Sequence, residues 1–236
     1  MKKTLSDKAY ELIKSDIIFC VLEPGHLIAQ PRLSEQYGIG MTPIRDALQR
    51  LAQEGFVKPM PRFGYMVTPI TLSTVAEIYE LRLILESQAA RFAAVRGSDQ
   101  QLQKIAENAN FTYVFRDQDS YNEFLALNTN FHLSIAKVAG NQRMVKVISV
   151  VLDESLRITR IMLDLRDSPE EMREGHVRLA KALCERDADR AERIVQEQIE
   201  GSRAKVVDAL NDTLSESSSE MLWQRIHVSA APDESE

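Results

Sequence analysis

The sequence predicts a mainly α protein in two parts: an N-terminal winged helix-turn-helix, α-helical with a small β-hairpin, and a C-terminal antiparallel bundle of about six helices. Three observations lead there. Residues 31–69 hold two short apolar-periodic runs, a glycine turn and two β-prone runs in uninterrupted succession. After Pro69 the pattern becomes continuous helical periodicity, with no β-rich run before the last dozen residues. The breaks in that periodicity are short, which suits antiparallel neighbours.

The N-terminal part opens with an amphipathic helix over residues 5–18, for which Ser6 is the expected cap, and a turn at Leu22-Glu23-Pro24-Gly25. Leu33 and Tyr37 mark the next helix, and Gly38 and Gly40 allow a sharp turn. Ile44, Ala47, Leu48 and Leu51 then recur at helical spacing on what would be the recognition helix. Thr42 is the expected cap, Pro43 the first helical residue and Gly55 the left-handed C-terminal stop. Two β-prone runs, 56–60 and 65–68, flank Pro61-Arg62-Phe63-Gly64, a hairpin with a basic tip that reads as a wing. The alternative is a generic helix pair beside a hairpin.

The boundary falls near residues 69–75, giving a first domain over 1–69, a linker over 70–75 and a helical domain over 76–210. The first long helix, 75–96, carries Ile78, Leu81, Leu85, Ala89 and Phe92 as its core stripe and ends near Gly97. Ser98 opens a second helix to about Asp117, and Ser120 with Glu123 forms a capping box for a third, which stops at Gly140. Asn141 starts a fourth, very apolar helix to about Leu165. Ser168-Pro169-Glu170-Glu171 starts a fifth to about Glu185, and Asp187 a sixth to about Leu210. Residues 211–236, serine-rich then acidic with Trp223 between, read as a disordered tail or a short docking segment.

Charge narrows the function classes. The chain of 236 residues has a net charge of −6, which argues against indiscriminate coating of nucleic acid. Residues 1–70 hold nine Lys/Arg against seven Asp/Glu, a net of +2, which leaves −8 for the rest. A weakly basic reader on an acidic body can grip phosphate locally while the body is repelled. Cys20 and Cys184 lie far apart in helical patterns and read as buried free thiols of a reducing cytoplasm. No secretory or membrane-spanning stretch is present, so a cytoplasmic protein without membrane contact is expected.

The run LSEQYGIGMTPIRDALQRLAQEGFV resembles the winged helix-turn-helix of GntR-type bacterial transcription regulators. The resemblance covers the first 70 or so residues without a gap. It implies double-stranded operator DNA as partner, read by Thr42, Arg45 and Arg50 of the recognition helix and Arg62 and Gly64 of the wing. The family usually has arginine before the Thr-Pro pair, whereas this chain has Met41, and a thioether cannot make the bidentate contact to guanine.

Within the bundle, Asn128 and His132 are four residues apart and share a helix face, and His176 falls on an apolar stripe with Leu179 and Leu183. A histidine so placed can also be a satisfied core residue. LALNTNFHLSIAKVAGN, EGHVRLAKALCERDADRAERIVQEQI and ELRLILESQAARFAA, the last with Arg82 and Glu86, resemble stretches of the FCD domain, the effector-binding bundle of the FadR-type branch of that family. The resemblance implies a small effector bound by Arg82, Asn128, His132, His176 and Gln198, and a homodimer. It also implies a divalent metal, zinc or nickel, on Asn128, His132 and His176. The family's fourth metal position holds Gln198, a poorer ligand than imidazole. The alternative occupant is an anionic metabolite bound directly, for which the arginine fork suits a carboxylate.

Two functions compete: a homodimeric regulator whose operator affinity follows a carboxylate-bearing metabolite, and a metal-dependent helical-bundle enzyme with an accessory N-terminal domain. No nucleophile with an adjacent base, carboxylate pair or phosphate-cradling loop is visible, so the regulator is preferred and no catalytic residue is assigned.

Overall fold

The computed structural model describes residues 3–165 and 168–215 and divides into two compact units, Met1–Thr71 and Leu72–Glu236. Unit one comprises α1 (Leu5–Ile18), β1 (Leu27–Ile28), α2 (Gln30–Tyr37), α3 (Met41–Gln53), β2 (Val57–Met60) and β3 (Gly64–Val67). Helix α1 packs on α3, and Ala9, Ile13 and Ile17 of the one and Ile44, Leu48 and Leu51 of the other are closed to solvent. The cap of α1 is Thr4 and not Ser6, because Thr4 and Asp7 form a reciprocal capping box, an arrangement worth about 1 kcal/mol.

Helix α3 begins one residue earlier than its threonine: Gly40 is its N-cap and no side chain caps it. Thr42 is therefore inside the first turn, and Pro43 is third in the helix, still among the positions whose N–H has no intrahelical partner. Gly55 follows the C-cap at φ +81°, the left-handed stop expected of it.

The sheet has three strands in the order β1-β3-β2, all antiparallel. Strand β1 went unanticipated because two residues carry no readable alternation. It pairs Leu27 with Met66 and Ile28 with Tyr65. Gly64, paired with Met60 of β2, lies close against β1 at φ +94°: a Cβ there would be 2.6 Å from the Ile28 carbonyl oxygen.

Unit two comprises α4 (Leu72–Arg96), α5 (Asp99–Glu107), α6 (Gln118–Val138), α7 (Gln142–Leu165), α8 (Pro169–Cys184) and α9 (Ala188–Ser215). Among the described residues six helices form the expected bundle, with α4 packed along α9 and also against α6 and α7. Residues 72–75, expected in the linker, are the first turn of α4. The buried face of α4 is Val75, Ile78, Tyr79, Arg82, Glu86, Ala89, Ala90 and Ala93, whereas Leu81, placed on the core stripe from periodicity, is 46% exposed.

Ser98 caps α5 with Gln101 as its reciprocal partner, but α5 stops at Glu107 and not near Asp117. The following segment turns inward, burying Phe111 and Tyr113 among Phe124, Tyr121 and His176. Asp117 caps α6 through its carboxylate, displacing the Ser120–Glu123 box, because the Ser120 hydroxyl instead accepts from the Val114 amide at 2.8 Å. Asn141 caps α7, accepting from the Arg143 and Met144 amides. Ser168 is at the N-cap of α8 without a side-chain bond.

Helix α9 continues past Leu210 to Ser215, so the start of the expected tail is helical; the remainder, with Trp223, lies outside the described residues. Cys184 is exposed and Cys20 half-buried, so neither is the core thiol expected of it. Among the described residues no helix is long and apolar enough to cross a membrane.

Candidate functional site

A cavity of about 330 Å³ opens between the helices of unit two. Arg82 from α4, Asn128 and His132 from α6, His176 from α8 and Gln198 from α9 all line it, so five residues scattered through the sequence converge on one space. Tyr113, Thr159, Met162 and Ser202 add to its wall, and Glu171, Arg178, Glu197 and Lys205 supply further charged groups. Lys205 on α9 is tied to the Glu171 carboxylate on α8 at 2.7 Å.

Two of the lining residues, Arg82 and His132, belong to an ion-pair chain through Glu86, a residue not singled out as a ligand from the sequence. Arg82 Nε donates to Glu86 Oε1 at 2.7 Å, and both side chains are buried. The other carboxylate oxygen, Oε2, lies 2.9 Å from His132 Nδ1, at ion-pair distance but without the alignment of a hydrogen bond. Burial alone would raise the Glu86 pKa, but Arg82 and His132 overcome it and hold the carboxyl at about 2. Glu86 is thus the anion that meets the buried cation. Opposite charges four residues apart on the otherwise largely apolar inner face of α4 were the available signal.

His176 has a different environment. Its ring stacks on Phe111 at 4.5 Å between centroids and meets the edges of Phe131 at 4.9 Å and His132 at 5.7 Å. Burial, together with the neighbouring His132, pushes its pKa down to about 3, so the imidazole is neutral at physiological pH. Among the described residues its Nδ1 has no hydrogen-bond partner, nor has Oε1 of Gln198. Gln198 approaches the backbone of α8 closely: a Cβ on Gly175 would lie 2.8 Å from its Nε2. The glycine before His176 makes room for that amide.

The donors do not fit a resident zinc or nickel ion. Asn128, His132, His176 and Gln198 offer two imidazoles and two amide oxygens, with no anionic ligand to balance a divalent charge. Among the described residues no three His, Cys, Asp or Glu side chains gather as a metal-binding group.

In unit one, Thr42 and Arg45 are exposed on the first turns of α3, outside its buried stripe of Ile44, Ala47, Leu48 and Leu51. Arg62 is exposed at the hairpin tip with φ +69°. Arg50 is more constrained: its guanidinium stacks 3.7 Å above the Tyr10 ring and reaches Glu54 at 3.4 Å and Asp7 at 3.7 Å. Gly64 is accounted for by its close approach to Ile28.

Residues 5–67 match the model of the gntR family of bacterial regulatory proteins, and residues 77–201 match the FCD domain. The chain is 24% identical over 196 residues to the HTH-type transcriptional repressor RspR of Escherichia coli, covering 83% of this chain and 86% of that one. It is 26% identical over 198 residues to the Nta operon transcriptional regulator of Aminobacter aminovorans, covering 82% and 90%. Among solved structures it is similar in fold to McbR/YncC of Escherichia coli, with a TM-score of 0.71 at 21% identity over 88% of this chain and 99% of that one. A GntR regulator from Rhodococcus gives a TM-score of 0.70 at 17% identity, over 86% and 98%.

Proposed function

The chain belongs to the GntR family of bacterial regulatory proteins and carries an FCD domain, and from that premise we propose how this DNA-binding regulator works: a small carboxylate-bearing metabolite enters the helical cavity and changes operator affinity. The single observation that carries the reading is the convergence of Arg82, Asn128, His132, His176 and Gln198 on one cavity. The alternative of a helical-bundle enzyme has no support among the matched regulators.

Glu86 occupies Nε of Arg82, and an incoming carboxylate engages the guanidinium where Arg82 lines the cavity. Asn128 and His132 supply polar contacts beside it. Neutral His176 and the free oxygen of Gln198 accept or share a hydrogen bond with the remainder of the ligand, satisfying two buried atoms that otherwise cost on the order of 1–3 kcal/mol each. A resident metal has no part in this reading.

On the DNA side, Arg45 reads a base edge, Thr42 and Arg62 position the phosphates, and Arg50 and Gly64 serve chiefly to hold the reader's shape. The protein acts in the cytoplasm as a homodimer, so that two readers address two half-sites.

The test is thermal denaturation of wild type and His132→Ala with a panel of mono-, di- and tricarboxylic acids, with and without zinc or nickel. A binding acid raises the wild-type midpoint by mass action, by more than it raises that of the variant, and metal leaves the shift unchanged. No stabilising acid in wild type would refute the carboxylate. Equal shifts in both proteins would refute the histidine, and a shift that requires metal would refute the metal-free site.

A further inference from the structure

We infer that Met41 is a base reader, and that it selects a thymine through the C5-methyl group in each operator half-site. This rests on the DNA-reading role of α3. Met41 is the first residue of that helix, with its side chain 45% exposed. Residues 41 and 45 are one turn apart, so the thioether stands beside the Arg45 guanidinium, at the border between the buried stripe of α3 and the exposed face that carries Thr42 and Arg45. Residues at the start of a recognition helix are those that reach base edges in the major groove.

An uncharged thioether has nothing to offer a phosphate and is too weak an acceptor to discriminate base donors. The apolar group exposed on a base edge in that groove is the thymine methyl, which apolar side chains recognise by direct contact. An unbranched, polarizable methionine adapts to such a contact without a fixed geometry. Arg45 and Met41 would thus divide the reading of adjacent base pairs, the guanidinium taking a hydrogen-bonding edge and the thioether a methyl. The buried core of α3 is formed by Ile44, Ala47, Leu48 and Leu51, and Met41 is outside it.

The experiment selects binding sites from randomised, unmethylated duplexes with the full-length wild type, Met41→Ala, Met41→Arg and Arg45→Ala. Met41 is exposed, so its variants keep the fold. Wild type is expected to select one thymine per half-site whose preference vanishes for Met41→Ala and becomes guanine for Met41→Arg. On the selected duplex, replacing that thymine with 2′-deoxyuridine, which lacks only the methyl, should weaken wild-type binding about three- to fivefold. The same replacement should leave Met41→Ala unaffected. Identical motifs for wild type and Met41→Ala, or equal wild-type binding to the thymine and deoxyuridine duplexes, would overturn the inference. If Arg45→Ala alters the motif while Met41→Ala does not, the DNA reader stands and only the methionine assignment falls. If wild type selects no motif at all, both fall.

Discussion

Arg82 and Glu86 are one turn apart on α4, joined at 2.7 Å with both side chains buried. The cation that lines the cavity therefore arrives already neutralised by its own helix. Removing one partner of such a pair leaves the other as an uncompensated buried charge, which costs more than the pair contributes. Glu86→Gln should lower unfolding stability by about 3–5 kcal/mol at neutral pH. The double change Arg82→Met with Glu86→Gln should recover most of that loss. Urea unfolding of wild type, each single variant and the double variant checks it, and additive losses in the double variant would show that the two side chains do not act as a pair.

The same cavity makes stability depend on pH, in a direction set by two depressed pKa values. His176 is held at about 3 against an ordinary 6.5, so between those values the unfolded chain binds a proton that the folded chain refuses. Stability is then full above about pH 6.5 and falls as pH drops toward 3, by roughly 1.4 kcal/mol per pH unit at the limit. Glu86, held at about 2 against 4.5, adds a second loss that begins only below about pH 4.5. Unfolding free energies at pH 7, 6 and 5 isolate the histidine. His176→Phe should flatten that interval, and an unchanged slope in the variant would assign the pH dependence elsewhere.

Much of this was legible in the sequence because it rests on local chemistry. Gly55, Ser98 and Asn141 announce helix ends through φ preference or a side-chain cap, and the 128/132 spacing places Asn128 and His132 on one face. What was not legible depends on tertiary contact. The segment after α5 carries helical periodicity, but stacking of Phe111 on His176 draws it inward. The box at Ser120 has the right spacing, yet the Val114 amide claims its hydroxyl. Arg50 has the look of a free cation until Tyr10, Asp7 and Glu54 surround it. In each case a partner distant in sequence or supplied by the fold outcompetes the local signal.

That difference between the two arginines of α3 is testable on DNA. Arg45→Ala should cost on the order of 1–3 kcal/mol in operator binding and relax specificity at one base pair per half-site. Arg50→Ala should weaken operator and random DNA alike by less, and should lower stability by up to about 1 kcal/mol through loss of the partly exposed pairs and the stacking on Tyr10. Gel-shift titrations against operator and random duplexes, paired with unfolding curves, separate the two effects. An unchanged operator-to-random ratio for Arg45→Ala would remove it as a base reader.

A symmetric dimer is the expected outcome of a mismatch between apolar surface and available core. Helix α4 buries Val75, Ile78, Ala89 and Ala93, yet leaves Leu81 46%, Ile84 55% and Val95 65% exposed, and α7 leaves Val147 47% and Val150 57% exposed. Exposed apolar residues at helical spacing on two helices that pack together form the kind of surface a symmetric partner covers. A single reader specifying ~4 to 5 base pairs cannot be selected among 10⁶ or more competing sites, so pairing also serves recognition. Light scattering at micromolar concentration should return the dimer mass for wild type, with and without operator. Ile84→Glu places a charge on that face without disturbing the core, and should shift the mass toward monomer and weaken operator binding at least tenfold, through loss of the second half-site. A monomeric wild type would exclude the dimer, and a dimeric Ile84→Glu protein would move the interface away from α4.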